Sequence, residues 1–406
     1  MINRQIYTTW KDGNRAKLTT SLRENKLPEL KVGEILVKNL FVPMHGSFWL
    51  ASHPDGLHPR IDEFMAGGGF VFGNGGIAQV VKTNEDPKMV REGDYVTVWG
   101  HVPCDNYDCY GCSVLHRYTE CEYNQSGIIG HGKGSYDGTY ADYTVLPRFS
   151  YDVCFRAEEN PDENDLLPFM FTFLLADVRN ALTRHPDAIR MPRLLIFGAG
   201  YSGMIAAYLF NNSSSTSKIF SIDVNSNRLD LIKDIAPSSI MTLLLDNDLA
   251  EQLNSTEQRI GFRGELRSAI KDIAVRLDDY FEGKGVNLLI DCSSGNTAPL
   301  WDNSDILGPT TIVIPFGFGS EYILLNKELI QCSGLNILMS RGVGNIRNRR
   351  ETLNLVKRGG GDFIRKFMVN NSRQIVGIEN VTDFIREMQS PPKSLSEIDH
   401  VYMDLR

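Results

Sequence analysis

The chain has 406 residues, 42% apolar and 23% charged, the composition of a globular protein too long for a single core, so two domains are expected. A net charge of −8 over this length gives no electrostatic footprint for nucleic acid or for an anionic membrane. No apolar run reads as long enough to span a bilayer, and residues 1–17 lack the apolar core of a signal peptide, so the cytoplasm is the expected compartment.

Residues 1 to about 100 read as β-rich. Alternating patterns occur at Glu34–Leu40, Ile77–Val81 and Tyr95–Trp99, separated by turn chemistry at Lys31-Val32-Gly33 and Arg91-Glu92-Gly93-Asp94. Many short strands with little helical periodicity predict a partly open β-barrel. Between the first strands, Phe41–Phe64 is rich in Gly and Pro and carries His45, His53, His58, Trp49 and Arg60. Functional groups concentrate in such loops on a rigid scaffold.

Of the seven cysteines, Cys104, Cys109, Cys112 and Cys121 fall within one short stretch spaced C-x4-C-x2-C-x8-C. Four thiolates this close can satisfy a tetrahedral structural zinc, with His116 as a competing ligand. Such a site is closed, so it would hold a lobe together and carry no chemistry. Cys154, Cys292 and Cys332 lie in apolar surroundings and read as small hydrophobes.

Residues 137–146 read as a turn into a strand, and Leu174–Arg184 as a helix. From Met191 the pattern changes to alternating strands and helices. Strands are expected at Leu194–Phe197, Ile219–Asp223, Met241–Leu245, Val286–Asp291, Thr311–Pro315 and Asn336–Ser340, as in a doubly wound parallel sheet. Between the first two, Gly198, Gly200 and Gly203 stand in G-x-G-x-x-G spacing, followed by Tyr201, Ser202 and an apolar helical stretch. The first glycine permits the tight turn, the second lets backbone approach a pyrophosphate, and the third lets helix and strand pack closely. Asp223, at the end of the second strand, is placed to accept from the adenosine ribose hydroxyls. This acid favours NAD over NADP, although Arg228 lies near. The stretch from Asp246 to Gly285 is longer than a crossover needs and predicts an extra or extended helix. The basic run Arg341–Arg350 is either a solvated face or a contact for cofactor phosphates. Residues 374–406 return to short strands and one helix that close the first domain.

In order and separation these parts resemble the medium-chain dehydrogenase/reductase superfamily of the zinc alcohol dehydrogenase type. The resemblance rests on the four-cysteine lobe, the segment Asp137-Gly138-Thr139-Tyr140-Ala141-Asp142-Tyr143, the glycine turn and the C-terminal return. It implies an α/β protein with a GroES-like β-barrel catalytic domain over 1–165, bearing the lobe at 104–121. A Rossmann NAD-binding domain would span 166–345, and 346–406 would return to the catalytic domain. It also implies a structural zinc, a small-molecule substrate, and a homodimer or homotetramer joined through Rossmann edge strands near Asn336–Ser340.

The lobe departs from the family's usual C-x2-C-x2-C-x7-C spacing. Larger departures fall where the family binds its catalytic zinc. Met44 stands at the position of the first cysteine ligand, Gly73-Asn74-Gly75 replaces a G-H-E segment, and Thr172–Phe173 holds no ligand at the third position, with Asp177 nearby. The expectation is therefore an NAD-dependent oxidoreductase that moves hydride without a catalytic zinc, acting on a carbonyl/alcohol couple in a specialised biosynthetic step. Charge on the reacting oxygen would then be met by side chains, with His45, Ser47 and His53 as candidates and Tyr140 behind them. Two alternatives are an enoyl- or quinone-type reductase and a dinucleotide-binding pseudoenzyme that senses or scaffolds.

Overall fold

The computed structural model describes residues 2–11, 14–44, 46, 48–49, 65, 68–86, 88–104, 106, 108–114, 121–123, 127–130, 136–183, 193–213, 218–254, 265–293, 306–316, 336–337, 342, 344–389 and 400–406. The chain divides into two compact units. Residues 1–176 and 342–406 form one, and residues 177–341 form the other.

The first unit is built on β1 (Ile2–Lys11), β2 (Asn14–Lys26), β3 (Ile35–Pro43), β4 (Gly69–Val71), β5 (Gly76–Thr83), β6 (Tyr95–Val98), β7 (His101–Val102), β8 (Gly127–Ile128), β9 (Tyr143–Leu146) and β10 (Tyr151–Phe155). β1 and β2 make a long antiparallel hairpin joined by β4. β3, β5, β6 and β10 pair antiparallel in that spatial order, and β9 also pairs with β3. The alternation at 35–40 and 77–81 marks β3 and β5. The β1–β2 hairpin is not among the strands expected from the sequence, although its run of Thr, Ile, Tyr and Trp is strand-forming composition.

The second unit holds β11 (Arg193–Phe197), β12 (Lys218–Asp223), β13 (Ile240–Leu244), β14 (Val286–Asp291), β15 (Leu307–Pro315) and β16 (Asn336–Ile337). All five pairings are parallel, in the order β13-β12-β11-β14-β15-β16. Strand order reverses between β11 and β14, which makes this a doubly wound sheet with its switch point beside the glycine turn. The strands are continuous apolar runs because helices cover them. The stretch between β13 and β14 forms two helices, Asn247–Asn254 and Glu265–Phe281. The second places Ile270, Ile273, Ala274, Leu277 and Phe281 on one face, against Leu195, Phe220 and Leu289 of the sheet.

The chain then returns to the first unit through the helix Ile346–Leu355, β17 (Arg373–Val376), the helix Ile378–Met388 and β18 (Val401–Asp404). β18 pairs antiparallel with β3, and the Leu405 amide donates to the Leu40 carbonyl at 2.8 Å. The last residues thus complete a sheet begun near the N-terminus. Helical residues 163–183 pass for a membrane span by length and composition, which corrects the reading that no such run exists, but 78% of that window is buried within the fold. The fold accounts for this stretch as a core helix.

In the basic run at 341–350, Arg347 and Arg350 are exposed, as a solvated face would be, but Arg349 is neither a solvated charge nor displayed to a phosphate. It is 1% exposed inside the first unit, donates to the Phe149 carbonyl, and places its guanidinium 5.6 Å from the centre of the Trp99 ring. Beside it lies His101, fully enclosed, its ring 6.2 Å from that of Phe173. Burial pushes the His101 imidazole down to about 4, and the Arg349 charge adds to the effect. His101 is therefore neutral when folded and gains a proton when unfolded. Its contribution is complete above the unfolded value near 6.5 and is lost as the pH falls toward about 4. Denaturant unfolding at pH 7.5 and pH 5 is expected to show His101→Gln losing about 2 kcal/mol less stability than the parent across that interval.

Candidate active site

The glycine turn follows the first strand of the second unit. β11 ends at Phe197, and Gly198 adopts φ +87°, the left-handed region that a side chain resists. A Cβ on Gly198 would also meet the Cys292 carbonyl carbon and the Ser293 nitrogen at 2.9 Å. At Gly203, in the first turn of the helix Tyr201–Ser213, a Cβ would lie 2.0 Å from the Gly198 carbonyl oxygen. The helix can sit this close to the strand end only without that carbon. Tyr201 is buried and Ser202 half-buried at the start of the same helix. The Gly200 carbonyl accepts from the Met204 amide at 2.9 Å, which opens the helix directly on the turn.

Asp223 closes the arrangement. It is buried at the end of β12, where Oδ2 accepts from the Ala199 amide at 2.6 Å and Oδ1 from the Asn225 amide at 2.8 Å. The acid thus fixes the glycine turn from the next strand. Each carboxylate oxygen keeps a further lone pair for a ribose hydroxyl. The Asn225 side chain caps the following helix by accepting from the Arg228 amide at 3.2 Å, which sets the half-buried Arg228 one turn along from Asp223. The cradle fits a dinucleotide: an unobstructed turn, a helix N-terminus that favours an anion, and an acid at the strand end.

The four cysteines of the lobe converge in the first unit. The Sγ atoms of Cys104, Cys109, Cys112 and Cys121 all lie within 4.8 Å of one another, with Cys109 and Cys121 at 3.9 Å. Zn–S bonds of about 2.3 Å in a tetrahedron require sulfurs about 3.8 Å apart, so the donor set and its spacing fit zinc. Burial raises the Cys109 thiol, but the backbone N–H groups of Cys112 and Glu122 more than offset this and hold it below its ordinary value. The wider spacing between Cys104 and Cys109 is absorbed locally: the Cys109 amide donates to the Asn106 carbonyl at 3.2 Å.

Positions 44, 74 and 172–173 come together in the same unit. Met44 is buried immediately after β3, and its amide donates to the Val401 carbonyl at 3.0 Å. A Cβ on Gly76 would touch Val42 Cγ2 at 3.2 Å, and one on Gly75 would touch the Phe173 Cβ at 3.2 Å. Asn74 itself is 9% exposed, and its Oδ1 has no hydrogen-bond partner. A buried polar group left unpaired costs about 1–3 kcal/mol. The Thr172 hydroxyl is already used, donating to the Phe169 carbonyl at 2.7 Å and pairing with the Thr97 hydroxyl. Farther along that helix, burial pushes the Asp177 carboxyl up to about 7, and its Oδ1 has no partner.

His45, Ser47 and His53, the candidate proton carriers, lie outside the described residues, as does His116. Tyr140 is described, and it is a packing residue. It is fully buried between Phe48 and Phe72, and its hydroxyl donates to the Pro43 carbonyl at 3.2 Å. The unpaired Asn74 amide and the buried His101 and Arg349 had no signal in the sequence beyond their residue types.

Two substitutions test these local structures. Gly203→Ala is expected to weaken NADH binding by at least about tenfold in a fluorescence titration, because the helix must shift off the turn. Cys112→Ser is expected to reduce bound zinc from about one per chain to near zero by elemental analysis.

No protein-family model matches the chain. Over 249 residues it is 27% identical to L-threonine 3-dehydrogenase of Streptomyces avermitilis, a match covering 61% of this chain and 66% of that protein. Over 304 residues it is 21% identical to D-xylulose reductase A of Aspergillus oryzae, covering 74% and 73%. Its fold is similar to that of an alcohol dehydrogenase from Thermotoga maritima, with TM-score 0.72 and 15% identity over 100% of this chain and 99% of the other. With the sheet order, the glycine turn and the cysteine lobe, these likenesses agree with the resemblance drawn from the sequence: the chain is similar in sequence to threonine and xylulose dehydrogenases and has the two-unit fold of zinc-type alcohol dehydrogenases.

Proposed function

We propose that this protein is an NAD-dependent dehydrogenase or reductase that moves hydride between the cofactor and a small carbonyl/alcohol couple without a catalytic zinc. One observation carries the reading: a complete dinucleotide cradle occurs in a chain whose three metal-ligand positions hold a thioether, an amide and a hydroxyl already bonded to the backbone. Those groups are not a competent donor set for zinc.

Bound NAD supplies a hydride acceptor. The second unit's Gly198, Gly200 and Gly203 leave room for the pyrophosphate. The first turn, Tyr201 and Ser202 included, offers its amides to that group, and Asp223 accepts from the ribose. In oxidation, bound NAD would take hydride from the substrate C–H bond, and the substrate O–H bond would give its proton to a side chain. The new C=O bond forms from the electrons of the O–H bond. His45, Ser47 and His53 are the proposed proton carriers. The acid at 223 favours NAD because a 2′-phosphate would be repelled there.

The relatives' names suggest D-xylulose and L-threonine as first probes, alongside simple secondary alcohols and ketones. Turnover is expected with about one zinc per chain by elemental analysis, the lobe alone, and it should persist after brief chelator treatment that leaves the fold intact. A second zinc per chain, or turnover abolished with the fold retained, would refute the zinc-free reading. Asp223→Ser is expected to lower the preference for NAD over NADP by about tenfold or more in kcat/KM, because it removes the repelling charge.

A further inference from the structure

We infer that Asn225 is a positioning residue for the dinucleotide: it holds the Asp223 carboxylate at the angle from which its remaining lone pairs meet the adenosine ribose. This rests on the cofactor half of the dehydrogenase reading and lies wholly within residues 177–341.

Three observations carry the inference. First, the Asp223 carboxylate is held from two sides. Oδ2 accepts from the Ala199 amide at 2.6 Å, and Oδ1 accepts from the Asn225 amide at 2.8 Å. The last torsion of an aspartate is soft, so one such bond leaves the carboxylate free to swing, whereas a donor on each oxygen fixes its plane. Second, the Asn225 amide is itself aimed by the rest of Asn225. The residue is extended, at φ −113° and ψ 112°. Its side chain accepts from the Arg228 amide at 3.2 Å, and its carbonyl accepts from the Leu229 amide at 3.2 Å. These bonds tie Asn225 to the first turn of the helix Ser226–Ile235, which sets its φ and so the direction of its own N–H. Third, what it is tied to is rigid. Leu229 is 4% exposed and Ile232 fully buried on that helix. The main chain of Asp223 is held separately, its carbonyl accepting from the Leu245 amide at 2.9 Å beside β13.

The two ends of Asp223 thus depend on different elements. The sheet fixes its backbone, and the capped helix fixes its carboxylate through Asn225. A ribose hydroxyl donates along a narrow range of angles, so a carboxylate that turns freely must be ordered when the ligand binds, and one already fixed need not be. Alanine at 225 keeps the backbone N–H but loses the cap that aims it. Serine keeps both, since it caps helices about as well as asparagine. Aspartate would also cap, but it would add a second negative charge beside Asp223.

The test is a fluorescence titration of the full-length protein with NADH and no substrate, so it does not depend on turnover. Asn225→Ala is expected to raise the Kd for NADH about fivefold, and Asn225→Ser to leave it within about twofold. The readout that a merely structural role would not move is the same titration with an NADH analogue whose adenosine lacks both ribose hydroxyls. Asp223 has nothing to accept from there, so Asn225→Ala should change that Kd by less than about twofold. Thermal unfolding of each variant checks that the fold persists. The role of Asn225 is overturned if Asn225→Ala binds NADH within about twofold of the parent, if it loses affinity equally for both dinucleotides, or if Asn225→Ser is as weak as Asn225→Ala. A parent that binds NADH but turns over no substrate overturns the dehydrogenase reading and leaves the Asn225 result intact. A parent that binds no NADH overturns both.

Discussion

The hydrogen bond from the Ala199 amide to Asp223 is the constraint on which the cofactor half depends. It joins the turn after β11 to the end of β12, so the two strands that bracket the ribose position hold each other in register. The turn itself exists only because Gly198 tolerates a left-handed backbone and Gly203 offers no side chain to its neighbour's carbonyl. A carboxylate that accepts two backbone N–H groups is satisfied in the free protein and retains lone pairs for a ligand. The same carboxylate therefore fixes the turn through its own hydrogen bonds, with no ligand needed to hold it.

The first unit shows the opposite economy. Its four cysteines gather into a closed set suited to zinc, while Met44, Asn74 and Thr172 are buried in the same unit. Thr172 donates its hydroxyl to the helix backbone and Met44 packs as a hydrophobe, while Asn74 Oδ1 has no hydrogen-bond partner.

Much of the fold was legible in the sequence because its signals are local. The parallel strands are short apolar runs bounded by turns, and Val286–Asp291 was placed to the residue. The glycine spacing and the acid at 223 follow from chain geometry alone, as does the cysteine cluster. The β1–β2 hairpin was missed because strongly β-forming residues at the N-terminus show no clean alternation. Arg349 gives no sign of its burial within the basic run. A run of arginines looks solvated until the fold supplies what burial requires, here the Phe149 carbonyl and the Trp99 face from far earlier in the chain.

The sequence by itself determined the two-unit plan, the glycine turn suited to a dinucleotide and the residue types at positions 44, 74 and 172, since these depend on periodicity, spacing and identity. Only the tertiary structure decided which polar groups are satisfied. Asn74 has no partner, Tyr140 spends its hydroxyl on Pro43, and His101 is held neutral beside a buried guanidinium. Hydrogen-bond satisfaction is a property of atoms brought together from distant parts of the chain, and no local pattern records it.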